Sequence, residues 1–205
     1  MRFETELKLF YHLYRQIMAR QVKTFGELVE HMEGHVCDFP PEKVLLHSFQ
    51  LLKELHWGFF REVTREMFLT GEVPRRTPFE KGDPRLFAEK EGELIPDPFG
   101  DDQSLVIDTP QGLVVLLGCA HSGLINILSH VTGKLGRDGI YAILGGTHLD
   151  FASASQVEDT LSVLKNFQVE RIGVSHCTGL KASSRLLAEF GEKFFFGMVG
   201  ESLEF

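Results

Sequence analysis

Apolar residues in the first quarter of the chain follow a helical period. Five of them recur at steps of three and four, which places them on one face of a helix: Phe3, Leu7, Phe10, Tyr14 and Ile17. A capping-box pair, Thr24 with Glu27, opens a second helical stretch over Phe25–Met32. A third begins at Pro41 and runs towards Trp57. The pattern predicts a helical N-terminal segment over residues 1–58.

The second part of the chain, residues 59–205, has a different pattern. Residues 70–102 are rich in Gly and Pro, which predicts a loop-rich stretch without long regular elements, either a functional loop or an extended wrap over the core. Apolar runs over Ser104–Thr109 and Leu113–Leu117, joined by Pro110-Gln111-Gly112, predict a β-hairpin. Strands are then predicted at Ile140–Leu144, Arg171–Ser175 and Lys193–Val199, and helices at Gly123–Val131, Ser155–Phe167 and Leu180–Phe190. This alternation predicts an α/β domain in which a hairpin precedes βα units with parallel strands.

The composition of the chain argues against nucleic acids and membranes as binding partners. The chain has 205 residues and a formal net charge of −8, and no run of Lys or Arg exceeds two residues, which argues against a nucleic-acid partner. Its apolar runs are far shorter than the ~20 residues of a membrane-spanning helix. The acidic N-terminus does not suit a secretory signal, and three scattered cysteines do not form a disulfide framework. We therefore expect a cytoplasmic protein with no membrane partner.

Three histidines come just after the ends of predicted strands. His121, His148 and His176 follow one another at intervals of 27 and 28 residues. Because the carboxyl ends of parallel strands lie along one edge of a sheet, we expect the three imidazoles to meet there. Neutral imidazoles are good ligands for Zn²⁺ and similar ions, and the thiolate of Cys119 would add a fourth or bridging ligand. The pattern predicts a divalent-metal site, with zinc as the expected ion.

Simpler interpretations exist for the same residues. A single histidine at a strand end is often a polar cap or a hydrogen-bonding loop residue. A free cysteine such as Cys119 is often a small buried apolar side chain. Cys177 is interpreted as a core residue, because neighbouring side chains of an extended chain point in opposite directions.

The same edge of the sheet has features that suit an anion. Ser122-Gly123 and Thr178-Gly179 each precede a predicted helix, so their backbone N–H groups would face the site and bind a phosphate. Arg75, in the loop-rich stretch, would reach the same group. Ordinary helix capping and a solvated loop arginine are the alternative interpretations.

Five ordered motifs give a family resemblance over about residues 60–205. They are LTGEVPRRTPFE (Leu69–Glu80), DDQSLV (Asp101–Val106), GLVVLLGCAHSGLINIL (Gly112–Leu128), ILGGTHL (Ile143–Leu149) and SHCTG (Ser175–Gly179). The sequence resembles the metallo-β-lactamase-fold hydrolases. The most similar subgroup includes the 7,8-dihydropterin-6-yl-methyl-4-(β-D-ribofuranosyl)aminobenzene 5′-phosphate synthases.

The resemblance implies an αββα sandwich with a metal site along one edge of its sheets. It implies that the GCAH motif, with Cys119 and His121, supplies a ligand, that SHCTG supplies the final His ligand, His176, and that His148 lines the site as a ligand or a substrate contact. The family's HxHxDH motif is absent from these 205 residues. The resemblance therefore covers the second half of the fold, and its ligand set is incomplete.

Three functions remain open at this point. The first is a metal-dependent hydrolase or synthase module acting on a phosphorylated or ester-like small molecule. The second is a non-catalytic relative that keeps the fold for binding or assembly, which the absent HxHxDH motif favours. The third is a phosphate-binding regulatory α/β domain without a metal.

The apolar strands also predict association. Segments such as Gly112–Leu117 and Tyr141–Leu144 are apolar on both faces, as in sheets that are covered on both sides. An open sheet face of several hundred Å² would cost on the order of 10 kcal/mol. We expect the N-terminal helices to cover part of this face and a second copy of the chain to complete it as a homodimer.

Overall fold

Alternating strands and helices dominate the part of the protein that the structure, a computed structural model, describes: residues 58–205. The strands are β1 (Arg61–Thr64), β2 (Met67–Leu69), β3 (Phe87–Lys90), β4 (Glu93–Pro96), β5 (Ser104–Thr109), β6 (Gly112–Leu117), β7 (Ile140–Gly145), β8 (Arg171–Val174) and β9 (Phe194–Phe196). The α-helices are α1 (Leu124–Leu135), α2 (Ala154–Leu164) and α3 (Gly179–Phe190). The helices predicted before residue 58 lie outside the described residues, so the proposed division into residues 1–58 and 59–205 stays a prediction.

The main sheet is mixed. From β2 its order runs β2-β5-β6-β7-β8-β9. Strands β2, β5 and β6 pair antiparallel, with Thr109 opposite Gly112 at the predicted hairpin turn. Strands β6 to β9 pair in parallel, as the alternation of strand and helix patterns predicts. The predicted α/β class is confirmed.

The hydrophobic core joins one face of this sheet to all three helices. Alternate strand residues point into it because side chains of a β-strand alternate between faces. Its fully buried members include Val106, Val115, Ile143 and Ile172 from the sheet and Leu128, Leu161 and Leu186 from the helices. Truncating one of the leucines to alanine would cost about 2–5 kcal/mol. The core thus fixes where each strand ends and where the next helix begins, which positions the loops between them. Within residues 58–205, the helices fall short of the length and apolarity needed to cross a bilayer.

One hairpin lies inside the stretch that the sequence predicts as loop. Strands β3 and β4 pair antiparallel around Glu91 and Gly92, with Lys90 opposite Glu93. Both turn residues have positive φ, 56° and 87°, as a two-residue hairpin turn requires. Four-residue strands agree with the prediction that this stretch lacks long regular elements. The hairpin itself is not predicted, because its strands are short, charged and mostly exposed and therefore lack the apolar alternation of a buried strand.

Candidate functional site

Three consecutive loops meet at the carboxyl ends of β6, β7 and β8. The N–H of Gly146 donates to the carbonyl of Gly118 at 3.0 Å, and the N–H of Ser175 donates to the carbonyl of Gly145 at 3.0 Å. Each loop is therefore tied to its neighbour just beyond the last strand residue. This pairing brings the residues that follow, including the predicted histidines, to one edge of the sheet.

The first and third loops form a cluster of two thiols and one imidazole. Cys119 Sγ lies 3.0 Å from His176 Nε2. The Sγ atoms of Cys119 and Cys177 and a ring nitrogen of His176 all lie within 4.8 Å of one another. We call Cys119, His176 and Cys177 the thiol–imidazole cluster. His176 is exposed and both cysteines are half-buried, so the cluster opens to solvent.

The interpretation of Cys177 as a core residue is wrong. His176–Thr178 form one turn of 3₁₀-helix, in which consecutive side chains do not point in opposite directions as they do in an extended chain. Cys177 Sγ therefore comes within 4.8 Å of a ring nitrogen of His176, and the backbone N–H of His148 donates to it at 3.3 Å. Burial raises the pKa of the Cys177 thiol to about 11.

The other two predicted histidines form a second group beside the cluster. The rings of His121 and His148 are 4.2 Å apart. His148 Nε2 lies 3.2 Å from a carboxylate oxygen of Asp83, which also accepts hydrogen bonds from the guanidinium of Arg85. We call His121, His148 and Asp83 the imidazole–carboxylate group.

In the imidazole–carboxylate group, one ring nitrogen of each histidine has no hydrogen-bond partner. The hydrogen bonds from Arg85 hold the pKa of the Asp83 carboxyl well below its usual range, so it accepts from His148 Nε2–H. Burial lowers the pKa of His148, which favours the neutral ring with a lone pair on Nδ1. The Nδ1 atoms of both His121 and His148 are buried without a hydrogen-bond partner. Asp83 was not among the predicted site residues, because it lies in the loop-rich stretch where no periodic pattern marks it.

A cavity of about 400 Å³ lies beside both groups. Cys119 and His121 are part of its lining, together with the ring of Phe99, which stacks on His121 at 5.3 Å. Three carboxylates also line it: Asp97, Asp101 and Asp102. The lining of the cavity therefore combines acidic residues with a thiol and an imidazole.

The predicted phosphate donors at the start of α1 are already occupied. The N–H of Ser122 donates to Asp102 at 2.9 Å. The N–H groups of Ile125 and Asn126 donate to the two carboxylate oxygens of Glu80 at 2.8 and 2.9 Å, and Gly123 N–H donates to the carbonyl of Ala120. The expectation that these N–H groups are free is wrong, because carboxylates from the preceding loops cap the helix.

The predicted donors at the start of α3 are also occupied, here by backbone carbonyls, and the N–H of Thr178 donates to the carbonyl of Ser175 at 3.0 Å. Thr178 Oγ1 is buried and accepts from the backbone N–H of Thr147 at 3.2 Å. Gly179 N–H donates to the carbonyl of His176. Arg75 is exposed, with its guanidinium 5.2 Å from the centre of the Phe99 ring. The structure thus places Arg75 near the site, and gives Thr178 a role in joining two of the three loops.

Comparisons with known proteins point to one family. The chain is 31% identical over 155 residues to the 7,8-dihydropterin-6-methyl-4-(beta-D-ribofuranosyl)-aminobenzene-5'-phosphate synthase of Methanocaldococcus jannaschii, over 73% of this chain and 53% of that protein. It is 29% identical over 140 residues to the uncharacterized protein MJ0448 of the same organism, over 68% of this chain and 50% of that one. The crystal structure of Tm1679, described as a metal-dependent hydrolase of the β-lactamase superfamily, matches with a TM-score of 0.66 and 33% identity, over 71% of this chain and 56% of that chain.

In sequence and in fold, the chain is similar to proteins of the metallo-β-lactamase superfamily. No protein-family model matches it, and it spans about half the length of the curated relatives it matches. The synthase supports the subgroup that the five motifs resemble, and the solved structure supports the partial metallo-β-lactamase fold.

Proposed function

We propose that this chain is a metallo-β-lactamase-like, metal-dependent hydrolase or synthase module that acts on a phosphorylated or ester-like small molecule. A similar protein is described as a metal-dependent hydrolase and another as a 5'-phosphate synthase, which supports both parts of the proposal. The strand-end loops supply the donors that such a site needs.

The observation that carries the proposal is the pair of unpartnered ring nitrogens. A buried polar atom without a partner costs about 1–3 kcal/mol, so His121 Nδ1 and His148 Nδ1 fit a site that a ligand completes. Neutral imidazole nitrogens and nearby thiols suit a divalent ion of the zinc type. His121, His148, His176 and Cys119 would hold it. When bound, such an ion polarises a phosphoryl or carbonyl oxygen and activates water.

Residues of the chain would orient the metal ligands and set the charge around the reacting group. Asp83 fixes the ring of His148 and keeps its proton on Nε2. The carboxylates Asp97, Asp101 and Asp102 make the cavity repel an anionic phosphate unless a cation is bound. The proposal therefore includes substrate binding that depends on the metal.

The test uses the full chain, stripped of metal and then supplied with Zn²⁺ or Mn²⁺. Release of p-nitrophenol from a phosphomonoester, a phosphodiester and a carboxyl ester would be measured. We expect metal-dependent turnover, and a loss of at least about 100-fold in His121→Ala, since even the outer partners of metal ligands are worth about 10- to 100-fold.

The matched control is His130→Gln. The His130 imidazole bonds the carbonyl of Thr70 at 3.0 Å, away from the site, and the glutamine amide can donate to the same carbonyl. This variant should keep full activity. Equal turnover in His121→Ala and His130→Gln, or equal turnover with and without metal, would contradict the proposal.

The alternative is a non-catalytic binding or assembly protein that retains the fold. The absence of HxHxDH from the sequence favours it, because that motif supplies most of the family's ligands for a first metal. It predicts metal binding with no turnover of any substrate class. A phosphate-binding regulatory domain has less support, since Glu80 and Asp102 already occupy the N–H groups that would bind the phosphate.

Zinc, a cytoplasmic location and a homodimer are further parts of the proposal. The thiol–imidazole cluster supports zinc, and the two free cysteines in it suit a reducing compartment. The homodimer rests on the apolar strands and is tested by light scattering below.

A further inference from the structure

We propose that Cys119, Cys177 and His176 act together as a three-donor metal site of two thiolates and one imidazole, which selects zinc and other thiolate-preferring ions over magnesium. In this set Cys177 joins Cys119 and His176 in place of His121 and His148, and the three donors assign the class of ion. It rests on the proposed function only in placing the ion at the same edge of the sheet, because metal binding here does not require turnover.

Distances in the cluster suit one small ion. Zinc lies about 2.3 Å from sulfur and about 2.0–2.1 Å from imidazole nitrogen, so neighbouring donors around a tetrahedral zinc are about 3.5–3.8 Å apart. Cys119 Sγ and His176 Nε2 are 3.0 Å apart, and no two of the three donor atoms are more than 4.8 Å apart. Changes of less than about 1.5 Å in side-chain position would therefore complete the geometry.

Second-layer hydrogen bonds aim the donors. Ser175 Oγ lies 3.1 Å from His176 Nδ1, and a proton on Nδ1 leaves the Nε2 lone pair directed at Cys119. The backbone N–H of His148 donates to Cys177 Sγ at 3.3 Å, a contact that would stabilise a thiolate. Both contacts resemble the outer-layer bonds that orient metal ligands in proteins.

Gly146 supplies the space that the donors need. A Cβ at this position would lie 2.5 Å from His176 Cε1 and 2.6 Å from Cys177 Sγ, closer than real Cβ atoms approach other groups. The backbone of Gly146 does not have the left-handed conformation that itself favours glycine. Space around the imidazole and the thiol, and not backbone freedom, is what this glycine provides.

The donor set determines which ions bind. Thiolates prefer zinc, cadmium, cobalt and similar ions, whereas Mg²⁺ prefers oxygen ligands in octahedral geometry. Three protein donors leave a fourth position of a tetrahedral ion open. Cys119 borders the 400 Å³ cavity, so that open position would face the space available to a substrate.

The experiment titrates the reduced, metal-free full chain with Co²⁺ and records thiolate-to-cobalt charge-transfer absorption in the near ultraviolet. The intensity of these bands follows the number of cobalt–sulfur bonds. We expect two bonds in the wild-type chain, about half the intensity in Cys119→Ser and in Cys177→Ser, and none in the double variant. Zn²⁺ should displace the cobalt at equimolar concentration, and excess Mg²⁺ should not. Cys37→Ser, a change at the third cysteine outside the described residues, is the matched control and should keep full intensity.

Two results would overturn the inference. Full band intensity in Cys177→Ser would remove Cys177 from the site, and cobalt binding without charge-transfer bands would assign the ion to nitrogen and oxygen donors. Far-ultraviolet circular dichroism checks that each variant is folded. The two proposals can be told apart. Charge-transfer bands without turnover would contradict only the proposed hydrolase activity, and turnover without the bands would contradict only the three-donor metal site.

Discussion

Gly146 offers the most direct test of the thiol–imidazole cluster at the scale of a single residue. In Gly146→Ala the new methyl group would contact His176 and Cys177, and it would push both donors apart without removing either. We predict about 10-fold weaker Zn²⁺ binding, as for other changes that misplace metal ligands. Titration with a competing chromogenic chelator measures this affinity.

Gly133→Ala is the control for that substitution. Gly133 lies in α1, where a Cβ would meet no atom within 4 Å. Alanine there should leave zinc affinity unchanged and stabilise the helix by about 1 kcal/mol. Equal zinc affinity in Gly146→Ala and Gly133→Ala would show that the donors do not need the space beside Gly146.

Individual site residues were predictable from the sequence only where they directly follow the end of a predicted strand. His121, His148 and His176 are found from strand-end position, and the structure places all three at one edge. Asp83 belongs to a loop whose path depends on tertiary contacts, so its approach to His148 is not visible in the sequence. Cys177 was misplaced because a single 3₁₀ turn changes the direction of one side chain.

At the scale of the elements, the buried carboxyl group of Glu80 caps the N-terminus of α1 and should make the free energy of unfolding depend on pH. Burial raises the pKa of Glu80 from 4.5 to about 7, although the N–H groups of Ile125 and Asn126 and the charge of Arg75 lower it. The folded chain then retains a proton that the unfolded chain releases. This contribution to stability is complete below about pH 4.5 and is lost as the pH rises to about 7, on the order of 3 kcal/mol in total.

Glu80→Gln should remove that pH dependence, because glutamine does not titrate. We predict that the free energy of unfolding in urea falls between about pH 4.5 and about pH 7 in the wild-type chain and falls less steeply in Glu80→Gln. Glu192→Gln, a change at an exposed carboxylate, should keep the wild-type slope. If Glu80→Gln and the wild-type chain have the same slope, Glu80 is ionised throughout this range in the folded state.

Other elements were predictable to the extent that their residues are buried. The hairpin of β5 and β6 and the three βα units follow from apolar patterns that the core enforces. The β3–β4 hairpin is mostly exposed and forms around the Glu91-Gly92 turn. Its strands therefore lack the apolar alternation from which a strand is predicted. The occupied N-terminus of α1 depends on Glu80, 45 residues before Ile125, and no local signal predicts such a cap.

For the whole molecule, the main prediction is association into a homodimer. Strand β9 is the last strand in the sheet order, and the chain around it exposes Phe196, Met198 and Val199, with 47% of Phe196 and 68% of Met198 accessible. An exposed apolar edge strand is a template for pairing with another chain. We expect light scattering at micromolar concentration to give twice the mass of one chain.

Met198→Asp should shift this equilibrium towards the monomer, since a charge would be buried in the interface. Leu94→Asp places the same charge on the separate β3–β4 hairpin, where Leu94 is also exposed, and should leave the mass unchanged. A wild-type chain that scatters as a monomer and binds no hydrophobic dye would contradict the dimer.

The separation of the cluster's donors along the chain has a consequence for folding. Cys119 and His176 are 57 positions apart, and the β7 strand and α1 and α2 helices lie between them. An ion held by both would close a loop of that length in any partly unfolded chain. A covalent bridge closing such a loop restricts the unfolded ensemble by about 4 kcal/mol, and coordination bonds act in the same direction. Metal loading would thus join the first and third βα units as a reversible cross-link, and a chelator would release it without cutting a bond.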